Sequence, residues 1–582
     1  MTNAAERNRG AVPAVHGLLE HLEREGVRHI FGIPGGPVIG LYDALYERGV
    51  IAPILAKHEE GAAFMADGYA RISGGIGVCC TTAGPGATNA LTGVAVAYAD
   101  HSPVLVLTAQ VPTRHFGKGA FQESSPEAVD VVEIYRPVTK WSTMIHHPEA
   151  TGPVIRKALR LMTSGRPGPV HVNLPCDVMT QMVERDMFPP EKRGSRARTF
   201  DRLSVKEAAS WLLSANRPAL FAGHGVNLAQ AWDPLRGLAE SFGIPVATTF
   251  KAKGALAEDH PLSLGVFGYS GSDLARDYLL DEADVVLVAG TSLGEASSCG
   301  WDARLGRKKA LLQIDIDPGA IGRNFPVAVG LAGDAGAVLT ELRFEMERVL
   351  RENPLEFKPR RHEFIRPAKL PTDDSEDTAG LGPLGARRIL GELRRALPRD
   401  AALFVDNGTI RTWAGAHFPV LRENSFFVNM GLTGMGFAVA ASIGGKLSAP
   451  GRVVAALVGD AAFAMNGMEI HTAVEHRVPV VWIVVNNGGH GMIYHGERML
   501  YGGKFKSSMF AGRLNIVDIA RAMGAAAFRV DRPGEMAGAL REAFRGGGPC
   551  VLDVAADLHE VPPMGARVAN VGRALAGIPA AA

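Results

Sequence analysis

The sequence predicts an α/β chain built as three doubly wound parallel-sheet domains. Three observations carry that reading. Short apolar, β-rich runs alternate with amphipathic stretches through three units, and two polar segments without periodicity separate those units. The third observation is one strand–helix–strand unit, from Val453 through Asn487. Its crossover sets the C-terminal ends of two parallel strands side by side, at the edge where open α/β sheets bind ligands.

In the first domain, residues 1–188, strands are expected at His29 to Gly32, Ile51 to Ala56, Ile76 to Thr82, Pro103 to Gln110 and Pro169 to Pro175. Helices are expected at Glu60 to Ile72 and Ala87 to Ala99. A basic, irregular stretch, Pro189 to Arg202, reads as a linker. The second domain, 203–350, has strands at Ala219 to Ala222, Pro245 to Thr249, Asp284 to Ala289 and Ala310 to Asp315. The charged segment Glu352 to Gly380 is the next linker. The third domain spans 381–565, with a helix expected over Asn466 to His476 between strands Val453 to Val458 and Val480 to Val485; residues 566–582 form a tail.

Bulk properties exclude several classes. A chain of 582 residues supplies two to four cores. The net charge of +1 gives no attraction to nucleic acid or to an anionic membrane. The apolar runs fall short of a membrane span, and Met1 to Gly10 is too polar for a signal peptide. Cys79, Cys80, Cys176, Cys299 and Cys550 show no metal or redox spacing, so a cytoplasmic protein with small buried cysteines is expected.

Chemistry concentrates at the two strand ends of the third domain. Gly459-Asp460-Ala461 closes one apolar run, and Asn486-Asn487-Gly488-Gly489-His490 closes the next. A carboxylate, an amide oxygen and loop carbonyls there make an all-oxygen cluster suited to Mg²⁺ or Ca²⁺, with water and phosphate completing the shell. Small neighbours let backbone N–H groups approach a phosphate. The same residues also suit two ordinary turns after buried strands. The length of chain between them favours the cluster.

That pattern resembles the cofactor motif of thiamine diphosphate enzymes, Gly-Asp-Gly followed one crossover later by Asn-Asn, with Ala461 in place of the last glycine. The resemblance implies that Asp460, the Asn487 side chain and the Gly489 carbonyl hold Mg²⁺ against the diphosphate. Gly459, Ala461, Ala462, His490 and Met492 would line it. Further upstream, Lys57-His58-Glu59-Glu60-Gly61-Ala62 precedes an Ala-rich stretch leading to Ala83-Gly84-Pro85-Gly86-Ala87-Thr88-Asn89. Two glutamates in a first helical turn complement the helix dipole without further purpose. The whole run, however, is similar to the first domain of acetolactate-synthase-like enzymes. By that resemblance Glu59 is catalytic and shares a proton with the aminopyrimidine ring, which requires burial to hold its pKa up. Glu60 is its solvated neighbour.

Other segments carry the same likeness. Phe31-Gly32-Ile33-Pro34-Gly35-Gly36 resembles the loop lining the substrate side of the thiazolium. Ala120-Phe121-Gln122-Glu123 resembles a segment that supplies an active-site glutamine, so Gln122 is expected to hydrogen-bond a developing alkoxide. Gly431-Leu432-Thr433-Gly434-Met435-Gly436-Phe437 resembles the segment whose methionine wedges between the cofactor rings. It assigns that wedge to Met435 and a carbonyl acceptor to Thr433. Gly408 and Thr409 are expected near the diphosphate, with Thr409-Ile410 replacing the family's Gln-His pair. His490 and His495 are open as proton donors.

The resemblance breaks in two further places. Gly496, four residues after Met492, stands where biosynthetic enzymes of this type carry a tryptophan, which opens the pocket. Thr291-Ser292-Leu293-Gly294-Glu295 replaces an Arg-Phe-Asp-Asp-Arg segment near bound FAD. Gly223-His224-Gly225, Gly268-Tyr269-Ser270-Gly271 and Asp315-Ile316-Asp317-Pro318 keep a dinucleotide-like character, leaving FAD, ADP or neither for the middle domain. The resemblance implies a thiamine diphosphate and Mg²⁺ dependent carboligase. It decarboxylates a 2-oxo acid, pyruvate first, and transfers the acyl-anion equivalent to a second carbonyl. A non-ligating 2-oxo acid decarboxylase, a flavin-linked oxidase and an inactive cofactor-binding homologue are the alternatives. A homodimer or homotetramer with shared active sites is expected, with no nucleic-acid or membrane partner.

Overall fold

The computed structural model describes residues 10–184, 199–353, 382–504 and 507–576. Most of both expected linkers, 189–198 and 354–380, lies outside them. A short antiparallel pair, β1 (Ala11–Pro13) with β8 (Met182–Glu184), brings the two ends of the first domain together. Between them lie β2 (His29–Ile33), β3 (Ala52–Leu55), β4 (Gly77–Thr81), β5 (Val104–Gln110), β6 (Ser142–Met144) and β7 (Val170–Pro175). They form one parallel sheet in the order β3-β2-β4-β5-β7-β6.

The middle sheet contains β9 (Pro218–Ala222), β10 (Val246–Thr248), β11 (Ser263–Val266), β12 (Val285–Ala289), β13 (Ala310–Asp315) and β14 (Val329–Ala332). Its order, β11-β10-β9-β12-β13-β14, is the third-second-first-fourth-fifth-sixth arrangement of dinucleotide-binding folds, and it reverses between β9 and β12. The third sheet holds β15 (Ala402–Val405), β16 (Phe426–Val428), β17 (Val454–Gly459), β18 (Val481–Asn486), β19 (Ala526–Val530) and β20 (Cys550–Ala555). Its order, β16-β15-β17-β18-β20-β19, repeats the first sheet strand for strand. The three parallel-sheet domains read from the sequence are therefore present, the outer two sharing a topology. Their central strands are buried on both faces, which is why Val454–Gly459 and Val481–Asn486 read as near-continuous apolar runs.

The first and third domains share one core. Helix Glu59–Ser73 crosses helix Phe437–Ser448 at backbone contact: a Cβ on Gly68 would lie 1.9 Å from the Ala441 carbonyl oxygen, and one on Gly444 would lie 1.8 Å from that of Met65. Phe64 and Phe437 meet edge to face beside the crossing, their centroids 5.5 Å apart. Small residues make this approach possible.

Several elements differ from expectation. The helix expected over Asn466 to His476 is Glu469–Glu475, and a separate helix, Asp460–Asn466, precedes it. The break between the two falls at Gly467, packed so closely on Phe463 that a Cβ would lie 2.6 Å from its carbonyl oxygen. The stretch Ala87 to Ala99 likewise divides into Pro85–Asn89 and Leu91–Ala99. Residues beyond the third sheet, expected as a tail, enter helix Gly565–Leu575, where Gly572 packs near Leu500 of helix Gly491–Tyr501. Cys79, Cys80 and Cys550 are buried as expected, whereas Cys176 and Cys299 are only half-buried. Among the described residues no helix is long and apolar enough to cross a membrane.

Candidate active site

The register of β17 on β18 pairs Gly459 with Val485, so the two strand ends are level. Asp460, 1 % exposed, follows as the first residue of a helix. One of its carboxylate oxygens accepts from the Gly488 N–H at 2.7 Å and the other from the Ala461 N–H at 2.9 Å. Burial pushes this carboxyl up to about 6 against the pull of those backbone donors. The two asparagines divide the work. Asn486 donates to Asp553 at 2.9 Å and to the Leu514 carbonyl at 3.2 Å, locking the strand end. Asn487, like Asn486, leaves a buried Oδ1 without a partner. Gly489, at φ +155°, bridges Met509, and the neighbouring His490 N–H donates to the Ser508 carbonyl at 2.7 Å.

A buried carboxylate, an orphaned amide oxygen and an adjacent glycine carbonyl fit a hard cation. No group of three or more His, Cys, Asp or Glu suited to a metal occurs among the described residues, so water and phosphate would supply the remaining oxygens. Helices Thr409–His417, Asp460–Asn466 and Gly491–Tyr501 all begin at this edge. Their free N–H groups favour an anion there. Gly408, at φ +136°, precedes the first of them, and Thr409 lies against Gly491, within 3.4 Å of where its Cβ would stand. Met492 is half-buried on the last.

Glu59 opens helix Glu59–Ser73 and is 7 % exposed. Its Oε2 accepts from Asn89 Nδ2 at 3.0 Å. Its Oε1 lies 3.4 Å from where a Gly86 side chain would begin, so glycine keeps the carboxylate's second oxygen clear. Gln122 stands nearby at φ +60°, packed over Gly84. The left-handed backbone at Gln122 is held locally: its carbonyl accepts from Ser124 Oγ at 3.2 Å, and that Oγ accepts from the Gly84 N–H at 2.9 Å. Glu59, Gly84, Gly86, Asn89 and Gln122 thus form one group.

Glu60 departs from expectation. It is not a solvated neighbour but half-buried, accepting from Asn466 Nδ2 at 3.3 Å, and burial raises its carboxyl. The sequence also concealed Glu469, 1 % exposed, whose carboxylate accepts from the N–H groups of Lys57 and His58 at 2.9–3.1 Å. Glu469 lies 412 residues from Lys57, so no local pattern could announce it. Asn89, by contrast, closes the run already singled out.

Met435 packs against the core shared by the outer domains. The backbone beside it is pinned, because Asn407 and Asn429 both donate to the Gly434 carbonyl, at 2.7 and 2.8 Å. Thr433 is exposed at φ +59°. His490 touches Phe510 edge-on, whereas burial lowers the pKa of His495, the first of several causes. Among the described residues no hydrogen bond or ion pair joins the Glu59 group to the Asp460 group within one chain.

A cavity of about 1040 Å³ opens where the middle sheet reverses. His224 and Gly225 after β9, Gly290–Ser292 after β12 and Asp315 ending β13 line it, with Arg166 of the first domain 3.2 Å from Asp315. Gly268–Gly271, grouped with these by sequence, is not among its lining. Tyr269 instead pairs with Glu295 at 3.0 Å and with Asn570 at 2.7 Å.

Three parallel-sheet domains, with a buried oxygen cluster at one strand edge and a buried glutamate on another domain, define a thiamine diphosphate-type enzyme. Family sequence patterns agree. Residues 14–132 match the N-terminal TPP binding domain of thiamine pyrophosphate enzymes, 205–342 the central domain and 406–554 the C-terminal TPP binding domain. The chain is 36 % identical to a probable acetolactate synthase large subunit of Methanocaldococcus jannaschii, over 95 % of this chain and 94 % of the relative. It is 32 % identical to acetolactate synthase isozyme 1 large subunit of Escherichia coli, covering 98 % and 99 %, and 32 % identical to the isozyme 3 large subunit, covering 92 % of each. The chain belongs to the thiamine pyrophosphate enzymes, in the family of acetolactate synthase large subunits.

Proposed function

We propose that the protein is a carboligase of the acetolactate synthase type, dependent on thiamine diphosphate and Mg²⁺. The observation that carries this reading is the buried Asp460 carboxylate beside the unpartnered Asn487 oxygen, on a chain matching acetolactate synthase large subunits over nearly its full length. Thiamine diphosphate, when bound, supplies the acidic ring carbon that adds to a 2-oxo acid and takes up the electron pair left by CO₂.

The chain's own residues do the rest. Asp460, Asn487 Oδ1 and the Gly489 carbonyl would hold Mg²⁺. Gly408, Thr409, Gly459, Ala461, Ala462, His490 and Met492 would line the diphosphate, and Thr433 and Met435 the rings. Glu59 holds and releases one proton at a carboxylate oxygen. Asn89 fixes its orientation, and burial keeps water from competing for that proton. Gln122 is assigned to the substrate oxygen, where its amide N–H can stabilise developing negative charge.

The complete site is assigned to a homo-oligomer in which Glu59 of one subunit faces Asp460 of another. Exposed apolar side chains beside both groups support this: Phe121 is 87 % exposed, Met468 59 % and Ile493 54 %. An adenine nucleotide, FAD or ADP, is assigned to the middle-domain cavity, whose glycine turns sit at a dinucleotide-type switch point. A cytoplasmic location is proposed from five unpaired cysteines.

Incubation with pyruvate, Mg²⁺ and thiamine diphosphate, followed by mass spectrometry, tests the reaction. Acetolactate is expected from pyruvate alone, and the mixed acetohydroxy acid when 2-oxobutyrate is added. Acetaldehyde as the sole product would replace this reading with a simple decarboxylase, and acetate with peroxide would replace it with an oxidase.

A further inference from the structure

Asp100 caps helix Leu91–Ala99 and is fully buried where all three domains meet. Its Oδ1 accepts from Lys251 Nζ of the middle domain at 3.1 Å and from the Gly431 N–H of the third domain at 2.9 Å. Its Oδ2 accepts from Arg71 Nη2 of the first domain and from the Met430 N–H, both at 3.1 Å. Burial alone would push this carboxyl up, yet Lys251 and then Arg71 hold it well below the ordinary carboxylate range. One ionised oxygen pair thus fastens three domains.

The bonds at Met430 and Gly431 fix the root of the segment carrying Thr433 and Met435. Gly431 has no freedom to drift, since a Cβ there would meet Ala99 at 2.4 Å. Arg71 reinforces the hold, donating to the Val428 carbonyl at 2.7 Å and lying 4.8 Å above the Phe437 ring. On the other side, Lys251 and Met430 both line the interdomain cavity. The Lys251 ammonium carries three donors and gives one to Asp100. It can therefore bridge Asp100 and an anion in the cavity at once.

We propose that Asp100 is the positioning residue that couples the cavity to the cofactor-facing loop, so that a nucleoside diphosphate in the cavity and thiamine diphosphate at the loop tighten each other's binding. The proposal rests on the nucleotide reading of the cavity. An anion that fixes Lys251 removes freedom the side chain otherwise has. Asp100 and the Met430–Gly431 backbone are then ordered before the second ligand arrives. Linkage makes the effect mutual.

Calorimetric titration of the full-length protein with thiamine diphosphate and Mg²⁺, with and without saturating ADP, measures the coupling; FAD replaces ADP in a second arm. We expect the nucleotide to tighten thiamine diphosphate by about fivefold or more, and the reverse titration to give the same factor. Lys251→Met should itself weaken the nucleotide, and in both Lys251→Met and Asp100→Asn the coupling factor should fall to unity. If Asp100→Asn does not fold, Lys251→Met, at a side chain only partly buried, decides. Binding of both ligands without mutual effect, or coupling that survives Lys251→Met, overturns the proposal and leaves the nucleotide reading intact. Failure of ADP and FAD to bind at all overturns both.

Discussion

Glu59 owes its setting to groups from distant parts of the chain: Asn89 holds its carboxylate, and Glu469 holds the backbone just before it. If Glu59 exchanges a proton with the cofactor, Glu59→Gln keeps the shape and the Asn89 contact but removes the exchange. Turnover should fall by about 10² to 10⁴, with folding and diphosphate binding kept. NMR of the thiazolium hydrogen exchanging with deuterium reads the step directly. Glu60→Gln also has a cost, because Glu60 is half-buried against Asn466; we expect about 1 kcal/mol in stability and a rate change under about tenfold. Equal rate losses at both positions would place the catalytic carboxylate elsewhere. At the other group, Asp460→Ala removes a charged oxygen and should weaken Mg²⁺–thiamine diphosphate binding by about tenfold to a hundredfold. Unchanged affinity by calorimetry would remove Asp460 from the site.

The crossing of helices Glu59–Ser73 and Phe437–Ser448 ties two segments of the proposed site together, since Glu59 opens one and Met435 precedes the other. Gly68→Val has no room against the Ala441 backbone and must push the helices apart. A loss of about 1 to 3 kcal/mol is expected, with kcat falling although no functional side chain is touched. A normal thermal midpoint and rate in Gly68→Val would show that the crossing can adjust. Within the first sheet, His171 on β7 lies between Thr108 and Ser142, at 2.7 and 2.8 Å, and stacks on Tyr135. Burial lowers its pKa to about 3. The unfolded chain takes up a proton near pH 6.5 that the folded chain refuses. Stability is thus fully present above that pH and falls as pH drops towards 3. The slope is about 1.4 kcal/mol per pH unit, so His171→Gln should lose about 2 kcal/mol less than the parent between pH 6.5 and 5. Parallel pH profiles of the thermal midpoint would show that His171 titrates normally.

For the whole molecule, the proposed placement of Glu59 and Asp460 on different subunits would make activity a property of the assembly. Specific activity should fall on dilution in step with the loss of dimer seen by light scattering. Phe121→Ser and Met468→Ser, at exposed apolar positions, should shift that midpoint to higher protein concentration. A fully active monomer would contradict the shared site.

Much of this was legible in the sequence because it is local. Apolar runs such as Val481–Asn486 mark strands buried on both faces, and turn residues after them mark the binding edge. The residues from Gly459 to Ala462 and from Asn487 to Met492 were therefore readable as one cluster, and the alternation of elements as three parallel sheets. Tertiary structure decided what depends on neighbours far away in the chain. It assigned Asn486 to the strand lock and left Asn487 free, because Asp553 and Leu514 reach only the former. It ended helix Asp460–Asn466 at Gly467, where Phe463 allows no side chain. It turned Glu60 inward, brought Glu469 to the start of the Glu59 helix, and made Asp100 a junction of three domains. Strand and turn preferences act over a few residues, whereas burial and the pairing of charges exist only once the chain has closed on itself.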